Sequence, residues 1–297
     1  MKAICIGQAA YDITLIMDSY PIENQRANIK EKIECGGGSA SNCAILLEKW
    51  EIDTSFAGTI GNDYYGNKIK DEFDRINTKY LDIKDATITP VSYIITAIDN
   101  NTRTILKNRK KDIKISIKYD NEKYDLIMLD GYEKDFASKV LNNNKTAISI
   151  LDAGSIKEET LELAKKVKIL ACSKDFAEEY TNIRIDFNDI NSLISIHKKL
   201  EQDFNNIILI TLEDKGCFIK SDNYKIIPSI QVDVKDTTAA GDIFHGALGY
   251  FLLNDTNLEN AVKKANIAGA LSVGKIGGRN SIPDYNKVEE VYDALSK

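Results

Sequence analysis

The stretch Asp236-Thr237-Thr238-Ala239-Ala240-Gly241-Asp242-Ile243-Phe244 has the residue types of an anion cradle that runs into a helix. Small residues and a glycine leave backbone N–H groups open to a ligand. Phe244, Ala247, Leu248, Phe251 and Leu252 then recur at helical spacing and form one apolar stripe. The first turn of such a helix has unpaired N–H donors and the positive end of the dipole, which suits a phosphate. Asp242 puts a carboxylate at the same place. It is either a plain helix cap or, beside a phosphoryl group, a base for an attacking hydroxyl.

A second stretch, Gly36-Gly37-Gly38-Ser39-Ala40-Ser41-Asn42, precedes another apolar stripe made of Cys43, Leu46, Leu47 and Trp50. Three glycines permit a tight turn, or the close approach of a ligand to the backbone. Ser39 or Ser41 is the expected cap of the helix. Asp12 follows the first strand, either as a turn residue or as a partner for a hydroxyl. Thr211-Leu212-Glu213-Asp214-Lys215-Gly216 follows the apolar run Ile207–Ile210.

Residues 236–244 resemble the C-terminal signature of the ribokinase-like (PfkB) sugar kinases, Asp-Thr-x-(Gly/Ala)-Ala-Gly-Asp-x-Phe. Gly37, Gly38 and Asn42 resemble the N-terminal signature, and Gly61-Asn62-Asp63-Tyr64-Tyr65-Gly66 a segment that follows it. The resemblance runs from Gly7 to Pro283. It implies that Asp242 is the catalytic base and that the amides of Ala239, Ala240 and Gly241 form the anion hole. It gives Asp12, Gly37, Gly38 and Asn42 to sugar hydroxyls. Thr211, Glu213, Gly216, Thr237 and Asn266 fall to the nucleotide, with Glu213 standing where the family has glycine. ATP and Mg²⁺ are implied as cofactors. Ser173 and Phe176 replace the ends of the family's Asn-x-x-Glu, so no Mg²⁺ ligand is carried over. A monovalent cation site, for K⁺, maps onto Asp236, Thr238, Ser272, Lys275, Gly277 and Ser281, mostly through backbone carbonyls.

These residues need elements to hold them. Strands are expected at 3–7, 13–17, 54–58, 91–98 and 103–106. Further strands at 125–130, 147–152, 168–171 and 207–211 alternate with helices at 133–143, 158–166 and 189–204, the order of a parallel sheet covered on both faces. Asn100-Asn101 reads as a hairpin turn. A helix is expected near 65–77, a hairpin at 216–228, and helices near 258–274 and from about 285. The fold class is α/β: the resemblance implies a ribokinase-like three-layer α/β/α fold with a small β-sheet lid. One domain spans 1–297, with lid segments near 13–35 and 87–118.

Composition sets further bounds. The 297 residues are 43% hydrophobic and 28% charged, enough for a real core. No run approaches the ~18 apolar residues that cross a bilayer, and the N-terminal apolar run is too short for a signal peptide, so a cytoplasmic protein without a membrane partner is expected. A net charge of -6 argues against a nucleic-acid partner. Cys5, Cys35, Cys43, Cys172 and Cys217 show no CxxC spacing and read as reduced, and with two histidines a zinc site is disfavoured. The cluster Lys107-Asn108-Arg109-Lys110-Lys111 reads as a solvated loop or a phosphate contact.

The expected function is ATP-dependent phosphorylation of a primary hydroxyl of a small sugar. Alternatives are a nucleoside kinase, a sugar-phosphate kinase using Arg103, Arg109 and Lys110, and a catalytically weak sugar sensor. A homodimer joined through the lid strands is expected, because bare sheet edges need cover.

Overall fold

The structure, a computed structural model, describes residues 1–100, 102–108 and 114–296. Asn101 of the expected turn, and Arg109 to Lys111 of the basic cluster, lie outside the described residues.

The chain begins β1 (Lys2–Ile6), β2 (Ala10–Met17), β3 (Glu31–Gly37), α1 (Ser39–Lys49), β4 (Asp53–Gly61), α2 (Tyr64–Glu72) and β5 (Asn77–Lys84). Next come β6 (Val91–Ala97), β7 (Thr102–Asn108), β8 (Leu126–Leu129), α3 (Lys134–Asn143), β9 (Ile148–Ala153), α4 (Glu158–Ala164), β10 (Ile169–Ser173) and α5 (Lys174–Thr181). It ends with α6 (Ile190–Phe204), β11 (Ile207–Thr211), β12 (Cys217–Lys220), β13 (Tyr224–Ile227), α7 (Ala240–Leu253), α8 (Leu258–Val273) and α9 (Tyr285–Leu295).

The large sheet has the order β13-β12-β11-β10-β9-β8-β1-β4-β5. Its strands pair in parallel except at β11-β12 and β12-β13, which pair antiparallel, so β12 alone runs against the others. Alternate residues of each strand enter different cores. Ala3 and Cys5 pack with α1, α7 and α8, whereas Ile4 and Ile6 pack with α3 to α6. Both faces are therefore buried, as a parallel sheet requires, and the result is three layers. All five cysteines are buried and free.

The chain leaves β1 toward β4 on one side and later returns to place β8 on the other. This reversal beside β1 opens a crevice at the carboxyl ends of the strands, where α/β proteins bind ligands. The second sheet, β3-β2-β6-β7, rises next to it. In its register Asp12, Ser92 and Lys107 form one row, so these residues share a face. Tyr93 and Leu106 pair on the opposite face and are 40% and 51% exposed.

Two expectations differ from what is seen, and one helix was not expected. The cap of α1 is Gly38, at φ 96°, with no side-chain capping bond, rather than Ser39 or Ser41. The segment expected to end the α2 helix near 77 begins β5 instead, because Tyr80 and Leu81 pair beside β4 and bury there. Residues 174–181 form α5, capped by Ser173 Oγ accepting from Phe176 N at 3.1 Å.

Candidate active site

Asp242 lies in the first turn of α7. Ala239 precedes it in the left-handed region at φ 64°. A Cβ built on Gly241 would meet nothing within 4 Å, so the cradle is open there. Ala240 N makes a long 3.4 Å bond to Thr237 O.

The Asp242 carboxylate accepts from Asn42 Nδ2 at 2.7 Å. Its pKa is raised above the usual carboxylate range, first by loss of solvation and then by the nearby Asp152 carboxylate. Asn42, Ser39 and His245 oppose the rise. Asp152, at the end of β9, is raised in the same way, with burial as the main cause. His245 Nδ1–H points between Gly241 O at 2.7 Å and Asp152 Oδ2 at 3.5 Å. Asp130, just past β8, accepts from the amides of Gln8 at 2.7 Å and Ala40 at 3.3 Å.

The three glycines do different jobs. A Cβ on Gly36 would lie 2.1 Å from Arg279 Nη1, and one on Gly37 would lie 2.0 Å from Asp12 Oδ2. Gly38, at φ 96°, would bring its Cβ 2.4 Å from Gln8 O. Two of them thus make room for side chains of this protein. The buried Asp12 has a raised pKa, caused first by desolvation and also by Asp242, while Ser92, Arg279 and Lys107 pull it down.

Thr211, Glu213, Gly216, Thr237 and Asn266, all expected at the nucleotide, line one cleft of about 550 Å³ together with Ala240, Gly241 and Arg103. Arg103 was expected at the acceptor; here its Nη1 donates to Thr238 Oγ1 at 3.2 Å and it lines the same cleft as Thr211 and Asn266. Asn266 Nδ2 donates to the carbonyls of Ile227 at 2.8 Å and Pro228 at 3.2 Å, which leaves Oδ1 for a ligand. Glu213 takes up a left-handed conformation, φ 57°, that glycine would adopt without strain.

The loops carrying Asp236, Thr238, Lys275 and Gly277, with the turn that carries Ser281, pack at the end of α8 that carries Ser272. The Asp236 carboxylate accepts from Thr238 N at 2.9 Å, Thr238 Oγ1 at 2.6 Å and Gly277 N at 2.9 Å. The hydroxyls of Ser272 and Ser281 donate to the carbonyls of Gly269 and Gly278. A cation there would have backbone carbonyls as ligands. Among the described residues no three His, Cys, Asp or Glu side chains are grouped to hold a metal. At the position expected to depart from Asn-x-x-Glu, Ser173 serves as a cap and Phe176 is fully buried.

Residues 1–285 match the pfkB family of carbohydrate kinases. The chain belongs to this family. Ribokinase from Bacillus subtilis is 23% identical over 98% of this chain and 99% of its own length. The bifunctional protein HldE of Aliarcobacter butzleri is 28% identical over 91% of this chain, and this pfkB-family chain spans 58% of that protein's length. Among solved structures, one from Agrobacterium tumefaciens covers all of this chain and 99% of its own, with a TM-score of 0.90 at 23% identity. Arabidopsis thaliana ribokinase, complexed with ribose and ATP, gives 0.79 at 22% identity, covering 98% of each chain. The ribokinase fold is thereby shown.

Asp130, Asp152, His245, Glu72 and Arg279 did not emerge from the motifs. For the first two a signal existed: each carboxylate follows the apolar run of a strand, Leu-Ile-Met-Leu and Ile-Ser-Ile-Leu, at the end where ligands bind.

Proposed function

We propose that this protein transfers the γ-phosphoryl group of ATP to a hydroxyl, primary by preference, of a small sugar such as a ribose- or ketose-like molecule. The observation that carries the reading is the 2.7 Å bond from Asn42 to Asp242, which sets the base between the open Gly241 cradle and the Asp12 face of the small sheet. Asp242 takes the proton as the hydroxyl attacks, and the amides of Ala239, Ala240 and Gly241 stabilise charge on the transferring group. Asp12, Asn42 and the Gly37-Gly38 backbone hold the acceptor hydroxyls. The cleft from Thr211 to Asn266 takes the nucleotide, and Arg103 adds positive charge at the phosphates.

Mg²⁺ would come with the nucleotide and draw its ligands from phosphate and water, since among the described residues no three His, Cys, Asp or Glu side chains are grouped to hold a metal. When bound it neutralises phosphate charge. K⁺ fits the carbonyl-lined loops described above. The apolar face carrying Tyr93 and Leu106 packs on a second copy, and closure of the lid keeps water from the phosphoryl group.

Lys107, in one row with Asp12 and Ser92, favours a second reading, an acceptor that already carries a phosphate. A panel of ribose, fructose, other ketoses, nucleosides and phosphorylated sugars, assayed with ATP by ADP release, decides. Turnover with free sugars supports the first reading, and turnover restricted to phosphorylated sugars replaces it with the second. Binding of sugar without turnover of any acceptor makes the protein a sensor.

A further inference from the structure

Asn42 is assigned above to the acceptor, yet half of its hydrogen-bonding capacity is committed inside the protein. Its Nδ2 donates to Asp242 Oδ2 at 2.7 Å, and its Oδ1 accepts from Arg279 Nε at 3.3 Å. Arg279 comes from the short turn Arg279–Ser281 and is 7% exposed. Its other two nitrogens are also occupied: Nη1 pairs with Glu72 Oε2 and Nη2 donates to Ser41 Oγ, each at 2.5 Å. Glu72 in turn accepts from Gly36 N at 2.9 Å. We infer that Arg279 is a positioning residue for phosphoryl transfer, acting on the base Asp242 through Asn42. The inference rests on Asp242 being that base.

The chemistry of the donors fixes the geometry. A guanidinium only donates and an ionised carboxylate only accepts. An amide between them must turn its oxygen to Arg279 and its NH₂ to Asp242; the reverse orientation would face donor with donor and acceptor with acceptor. Arg279 therefore holds Asn42 in the one orientation that restrains Asp242, and the second Nδ2 hydrogen is left for an acceptor hydroxyl. The planar, three-point grip on Glu72, Ser41 and Asn42 is one that lysine cannot copy. Gly36 contributes by lacking a side chain where the guanidinium lies. The loop just before that turn is linked to the Asp236 stretch, since Gly277 N donates to Asp236 Oδ2 at 2.9 Å.

The alternative is that Arg279 and Glu72 form a structural ion pair and nothing more. A double-mutant cycle separates the two, because residues in series are non-additive. Arg279→Met, Asn42→Ala and the double variant are compared for kcat, for the KM of ATP and for melting temperature, using the best acceptor from the panel. Arg279→Met should lower kcat roughly 10- to 100-fold, as expected for a misplaced reacting group, with the KM of ATP within about twofold of wild type, since the nucleotide cleft is untouched. The double variant should be no slower than Asn42→Ala within about that same margin. Unchanged kcat in Arg279→Met, or losses that multiply in the double variant, overturns the inference. If Arg279→Met does not fold, Glu72→Gln loosens the guanidinium from its far side. Its loss of kcat should vanish in the Asn42→Ala background. No loss, or the same loss without Asn42, again overturns the inference. Failure of the wild type to phosphorylate any acceptor is a separate result, seen before any variant is made; it removes the kinase reading and this inference with it.

Discussion

Gly37 yields its side-chain space to Asp12: a Cβ at Gly37 would fall 2.0 Å from Asp12 Oδ2. Gly37→Ala should therefore push aside the carboxylate proposed to hold the acceptor. Loss of a charge-assisted hydrogen bond is worth roughly 1.5–3 kcal/mol, so the KM of the sugar should rise about 10- to 100-fold. The KM of ATP should stay unchanged. Initial-rate kinetics with each substrate varied in turn checks this, and an unaltered sugar KM would remove Asp12 from the acceptor site.

Asp242→Asn removes the proposed base and keeps the shape. The rate should fall roughly 10²- to 10⁴-fold, while calorimetry should still find sugar binding through Asp12 and the Gly37-Gly38 backbone. Stability should move the other way. The pKa of Asp242 is raised in the folded protein by loss of solvation and by Asp152, so its contribution is most favourable below the unfolded pKa and is lost as pH rises through the folded one. At neutral pH the wild type bears that cost and the Asn variant does not. Its melting temperature at pH 7 should exceed that of wild type, and the gap should close toward pH 4.

The rate itself should follow the same group. As the proposed base, Asp242 acts only when ionised, so kcat/KM falls as pH drops through its pKa in the free protein, which lies above the ordinary 3.8. Asp152→Asn removes the largest charge that raises it. The acid limb of the pH–rate profile should shift to lower pH in that variant, and an unmoved limb would uncouple the two carboxylates.

Glu213 carries backbone strain at φ 57°. Relief of a left-handed conformation, less the chain entropy of glycine, should make Glu213→Gly more stable by about 0.5–1 kcal/mol. One negative charge at the cleft also disappears, and the KM of ATP should fall roughly two- to fivefold at low salt. Denaturant melts and nucleotide kinetics test the two parts separately.

Leu106→Glu puts a charge on the apolar outer face of the small sheet. If two copies meet there, light scattering at micromolar concentration should show a dimer for wild type and a monomer for the variant. A monomeric wild type refutes the pairing.

Much of this was readable from residue order because the parallel sheet announces itself: apolar runs such as Ile207–Thr211 alternate with amphipathic helices, and both faces of each strand are buried. Asp242 and Asn42 were legible because each sits in a long motif. β5 was hidden because Asn77-Thr78-Lys79 looks polar; the strand lies at the sheet's edge, where only its middle is buried. Arg279 was invisible for a different reason. Its role depends on Glu72 and Asn42, more than 200 positions away in the chain, and no local pattern encodes such a distance. The purpose of Gly36 and Gly37 was half read, since the space they leave is filled from within.

The cover of α1 by α7 has a consequence during synthesis. Asn42 and Asp242 are 200 positions apart, and the apolar face of α1 rests on a helix made long after it. At roughly 5–20 residues per second, that face waits about 10–40 s on the ribosome for its partner. Throughout this interval the nascent chain carries a sticky surface and no catalytic centre. Holdase chaperones should therefore engage chains stalled between α1 and α7, and release them once α7 has emerged.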